Sequence, residues 1–131
     1  VDLARFAAAF DDPPACRILG AKAIAEMWAR PEGAAGREPD GKLKAAFYGC
    51  GWNVRPVGPA GKANTWHGGF IVGTESLLVR RWDGLNWAVL FNSHHNPDGK
   101  SLAGLIDSRL HRAADKVRAW PDQDQFGWFL K

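Results

Sequence analysis

At 131 residues, 46% of them hydrophobic, the chain has the length of one compact domain and enough apolar material for its own core. Seventeen Lys and Arg against fourteen Asp and Glu leave a net charge of +3, spread along the chain without the clustered basic stripe of a nucleic-acid surface. No run approaches the roughly 18 apolar residues of a membrane span, and the N-terminus lacks the basic, apolar and small-residue pattern of a secretion signal. Nucleic acid and membrane are therefore not expected partners, and the compartment is left unread.

The chain opens on VDLARF without a methionine, which reads as a piece of something longer. In VDLARFAAAF, Asp2 is placed to cap a helix, and Leu3, Phe6 and Phe10 recur at helical spacing until Pro13 and Pro14 end the run. GAKAIAEMWARP repeats the pattern through Ile24, Met27 and Trp28, with Pro31 as the stop. Residues 32–42, EGAAGREPDGK, read as a Gly- and Pro-rich surface loop. Cys16 and Cys50 lie in different segments with no metal-ligand spacing, so two buried free thiols are expected and no metal or other cofactor is called for.

From residue 51 the period changes to two. GWNVRP (51–56) and TWHGGFIV (65–72) read as strands, and ESLLVRRW and LNWAVLFN flank Asp83-Gly84, the dipeptide of a type I′ hairpin. SLAGLIDSRLHRAADKVRAWP then gives a long helix whose stripe is Leu102, Ile106, Leu110, Ala113, Val117 and Trp120, with His111 on its solvated side. The order helix, helix, four strands, helix predicts an α+β fold in which an antiparallel sheet of about four strands carries the helices. Trp28, Trp52, Trp87 and Trp120 fall where core side chains are needed; Trp66 and Trp82 are the candidates for exposure.

One stretch of strand is unusual. His67 is followed by Gly68 and Gly69, and glycine inside a strand marks close approach by a ligand or another backbone. A bulge with an ordinary half-buried histidine is the competing structural explanation. Two weaker constellations accompany it. Ser76, His67 and Asp83 make a nominal triad that strand alternation gives no reason to bring together, and His94, His95 and Asp98 in NSHHNPDG read as a solvated turn before they read as a zinc site.

The motifs YGCGW (48–52), HGG (67–69), Gly73 followed by Ser76, the DG turn and AVLFN (88–92) stand in an order that resembles the C-terminal end of the serine β-lactamase-like superfamily: class C β-lactamases, penicillin-binding proteins and esterases. DLARFAAAF followed by AIAEMWARP is similar to that family's helix pair. The resemblance implies a β-lactamase-like α/β fold, of which residues 1–131 are the C-terminal portion. It implies acyl transfer to water through an acyl-serine, with a small ester or amide as the parent protein's substrate. HGG matches the family's K-T-G strand with His67 in the lysine's place. On that match His67 aids proton transfer or binds an anionic group, Gly68 and Gly69 admit substrate along the strand edge, and the backbone N–H of Phe70 is an oxyanion donor. None of Ser76, Ser93, Ser101 or Ser108 has a lysine three residues on, and the only tyrosine, Tyr48, sits in the wrong motif for the family's second element. The chain is therefore expected to be one catalytically incomplete wall of an active site, partnered by a missing N-terminal half or associating with itself. A non-catalytic binding or interaction domain on the same scaffold is the rival reading, and an unrelated α+β domain the third.

Overall fold

A computed structural model describes residues 2–58, 61–123 and 125. The fold is α+β: helices α1 (Asp2–Ala8) and α2 (Ala21–Met27), strands β1 (Phe47–Tyr48), β2 (Asn53–Pro56), β3 (Ala63–Ile71), β4 (Thr74–Arg80) and β5 (Asn86–Phe91), and helix α3 (Leu102–Lys116). The strands form one antiparallel meander in the order β1-β2-β3-β4-β5, one more than the alternation pattern yields. The extra strand is Phe47–Tyr48, whose two residues are too short to show a period.

β4 explains the layering. Its alternate residues feed two separate cores, because successive side chains point to opposite faces. Leu78 packs with Ala7, Phe10, Ile24, Phe47, Trp52 and Val54, the cluster beneath α1 and α2. Leu77 and Val79 pack with Ala103 of α3, with Trp66, Trp87 and Ile106 around them. The two terminal helices thus sit on opposite faces of the sheet. Phe10 is the anchor of the first core, at 2% exposure, with its ring edge-on to Trp52 at 5.9 Å; its burial contributes about 2 to 3 kcal/mol.

Buried polar contacts join the layers. Just beyond α1, Asp11 meets the Arg80 guanidinium of β4 at 2.9 Å and accepts from Asn86 Nδ2 of β5 at 2.6 Å. Arg80 also lies 4.7 Å from the Trp28 ring. On the other face Glu75 of β4 accepts from Ser101 Oγ at 2.6 Å and from the Ala103 N–H at 2.9 Å. Ser101 in turn caps α3 by accepting from the Gly104 N–H.

Several expectations are corrected. Asp2 is the first helical residue rather than a cap. Leu3 and Phe6 are about half exposed, so Ala7 of α1 and Phe10 in the turn after it are the buried residues; Phe6 instead stacks on Trp52 at 6.2 Å. α3 ends at Lys116, which leaves Val117 and Trp120 beyond the helix and exposed. His111 is half-buried rather than fully solvated: its ring packs edge-on against Trp87 at 4.9 Å. Cys16 and Cys50 are free, but one is half-buried and the other exposed. The β4–β5 turn is not type I′, since Gly84 has a φ of 83° and, among the described residues, only glycines have a positive φ. Arg81 N–H donates to Leu85 O and Gly84 N–H to Arg81 O, the pattern of a three-residue loop in which one left-handed glycine follows a type I turn. Arg81 forks onto the Asp83 carboxylate at 3.0 and 2.7 Å and reaches Asp115 of α3 at 2.7 Å, so the loop is tied to the helix.

Candidate functional site

The hairpin that matters for His67 is β3–β4, closed by Val72-Gly73 with Gly73 at a φ of 87°. This two-residue connection sets the register: His67 opposite Leu78, Gly69 opposite Ser76, Phe70 opposite Glu75. His67 and Gly69 therefore share the α1 face with Ser76 and Leu78. Leu3 of α1 lies beside them, and a cavity of about 170 Å³ is lined by Leu3, His67, Gly68, Gly69, Ser76 and the Leu77–Leu78 strand.

β3 is longer than its neighbour. β2 pairs with it only as far as Asn53 opposite Trp66, whereas β4 follows it to Ile71. Residues 67–71 thus have a partner strand on one side only, and His67, Gly68, Phe70 and Ile71 are all exposed. In an antiparallel hairpin with a two-residue turn, the flanking pair, here Ile71 and Thr74, exchanges ladder hydrogen bonds. Alternation then turns the backbone amides of Gly69 and His67 toward β4 and those of Gly68 and Phe70 toward the open edge.

The glycines have distinguishable roles. A Cβ on Gly69 would run into the Ser76 hydroxyl, so that glycine makes room for a protein side chain, not only for a ligand. A Cβ on Gly68 would meet only the Ser76 carbonyl, at an ordinary 3.7 Å. The group that comes near Gly69 is thus the Ser76 side chain, neither the ligand nor the backbone that glycine in a strand leads one to expect.

His67 has a partner from a different strand. Tyr48 Oη lies 3.1 Å from His67 Nε2, and the rings are 6.0 Å apart. No local spacing signals this contact, because it bridges from a two-residue edge strand past β2. Its support is visible around Tyr48. Phe47, its neighbour, is buried with the Arg30 guanidinium 4.2 Å over its ring. Gly49 N–H donates to Trp52 O at 2.8 Å, and Cys50 N–H donates to Met27 O at 2.9 Å. A side chain at Gly49 would strike Met27 O, so only glycine lets this turn close onto α2.

The remaining candidates separate. Ser76 and His67 do line one cavity, a convergence that only the 72–73 turn reveals; Asp83 is held at the opposite end of β4 by Arg81. Burial alone would raise the Asp83 carboxyl, but the Arg81 guanidinium outweighs it and holds the group below its ordinary range. Phe70 does not line the cavity; its ring packs edge-on to His94 at 5.0 Å. His94 Nδ1 accepts from the Gly73 N–H at 3.1 Å, and Asp98 accepts from Asn96. Among the described residues no three His, Cys, Asp or Glu side chains are grouped to hold a metal. Of the two tryptophans expected at the surface, Trp82 is exposed, with Lys62 Nζ 4.2 Å over its ring, whereas Trp66 is half-buried, with Arg55 at 5.0 Å.

No protein-family model matches the chain, and neither a curated protein nor a solved structure matches it.

Proposed function

We propose that the chain is the C-terminal sheet portion of a β-lactamase-like serine hydrolase, which acts on a small ester or amide through an acyl-serine formed on a nucleophile outside residues 1–131. The observation that carries this reading is the open edge of β3. There His67 stands beside two glycines, and the outward Gly68 and Phe70 amides leave a place for a substrate to lie as an added strand with its carbonyl on a backbone donor. Ser76 lacks the lysine of an S-x-x-K serine, and no described base is hydrogen-bonded to it.

The test is covalent labelling. Intact-mass spectra of this chain with a fluorophosphonate are expected to show no adduct. With an N-terminal half that supplies an S-x-x-K serine, an adduct on that serine is expected. Phe70→Pro should abolish it while Phe70→Ala preserves it, because proline deletes the outward N–H at a position that contributes no ladder bond to β4. A stoichiometric adduct on Ser76, lost in His67→Ala, would overturn the reading, as would labelling indifferent to Phe70→Pro.

The partner is the complementary half, and the chain by itself is expected to self-associate. β5 carries no charged residue along its free edge and exposes Leu90 at 70%. A groove of about 590 Å³ runs beside it between α1 and α3. Light scattering over a dilution series should show mass rising with concentration; a monomer throughout counts against it.

A further inference from the structure

We infer that Tyr48 is a positioning residue for His67. Its hydroxyl donates to Nε2 and so places the proton of the uncharged ring on Nδ1, where it is available as a hydrogen-bond donor to a carbonyl-type oxygen. The inference rests on the hydrolase reading only for the use made of that donor.

Three observations carry it. The 3.1 Å contact between Tyr48 Oη and His67 Nε2 must have one donor. A phenol O–H is the better donor and an imidazole nitrogen the better acceptor, so the proton of the neutral pair lies on oxygen and the ring proton lies on Nδ1. Among the described residues no protein group is hydrogen-bonded to Nδ1, which leaves it as the uncommitted polar hydrogen of a side chain that lines the cavity. Finally, the tyrosine is aimed rather than loose. Although half exposed, it sits between buried Phe47 and a turn fastened to Met27 through Cys50, and that turn depends on Gly49. A surface hydrogen bond adds little to stability, so backbone support on both sides of this residue is better explained by orientation of the ring it touches.

The prediction is read on this chain alone by long-range proton–nitrogen spectra of the imidazoles at a pH where they are neutral, with His67 assigned through His67→Gln. His94 supplies an internal reference of the opposite tautomer, since its Nδ1 accepts from the Gly73 N–H. The expected spectrum has His67 Nδ1 in the protonated range and Nε2 in the unprotonated range. Tyr48→Phe should lose that pattern for His67 and leave His94 unchanged, with a melting temperature lowered by no more than about 5 °C. An Nε2–H tautomer in the unmodified chain, or an unchanged tautomer in a folded Tyr48→Phe, overturns the inference. If Tyr48→Phe proves unfolded, the tautomer of the unmodified chain still decides it. The two proposals fail separately: labelling that never appears removes the hydrolase reading and leaves the tyrosine–histidine pair standing, whereas the wrong tautomer removes the pair whatever the labelling does.

Discussion

Asp11→Ala is expected to destabilise the chain by about 3 kcal/mol, seen as a fall of about 10 to 15 °C in melting temperature. The cause is the charge left behind. The Arg80 side chain is only 8% exposed, and burial already presses its guanidinium below its ordinary pKa while Asp11 opposes that pressure. Removing Asp11 strands a buried cation and leaves Asn86 Nδ2 with the Gly84 carbonyl alone, so the segment after α1 loses its grip on two strands at once. Asp11→Ala combined with Arg80→Met should cost less than Asp11→Ala alone, because no unpaired charge remains. A combined variant as unstable as the sum of the two singles would show that packing, not charge, is what matters there.

Glu75→Ala is expected to cost about 2 to 3 kcal/mol, measured by chemical denaturation at neutral pH. Glu75 is 8% exposed and receives two hydrogen bonds at the start of α3, so its loss leaves Ser101 and the Ala103 amide without their acceptor. Burial by itself would raise the Glu75 carboxyl. The Ser101 hydroxyl, the Ala103 and Leu102 amides and the neighbouring His95 together hold it below its ordinary value of 4.5. A depressed carboxyl stabilises the fold above the unfolded-state pKa and ceases to do so as pH falls through the folded-state pKa. The stability gap between the unmodified chain and Glu75→Gln should therefore be constant above about pH 5 and narrow as the pH falls below it. A gap that widens on acidification would contradict the assignment.

What the residues reveal by themselves divides along the range of the interaction. Ile24, Met27 and Trp28 lie on one side of α2, as helical spacing requires, and the alternation of 75–80 is the alternation of β4 between two cores. These are repeats within one element. Phe47–Tyr48 repeats nothing, and so escapes any reading by period. Asp83-Gly84 was the right place for a turn, but the conformation of Asp83 is decided by its fork with Arg81, which carries on to Asp115 of α3. The candidate site shows the same division. Two glycines after a histidine mark a close approach, yet the approaching group is named only by the register that Val72-Gly73 imposes. The Tyr48 contact spans 19 residues and the Asp11–Asn86 contact 75, and neither leaves a trace in local spacing.

Every strand of the meander is bonded to its neighbours in sequence, so the sheet can zip up through successive short loop closures, each with a small entropic cost. α1 is different. It comes from the far end of the chain, and the contacts that fasten it to β4 and β5, Asp11 with Arg80 and with Asn86, are distant in sequence. Leu3, which lines the cavity beside His67, travels with that helix. The pocket therefore depends on a long-range helix contact as well as on the sheet that bears its polar groups. Release of α1 would take Leu3 out of the cavity wall and leave the exposed His67 on the open edge of β3, so the helix shapes the pocket around the histidine rather than covering it.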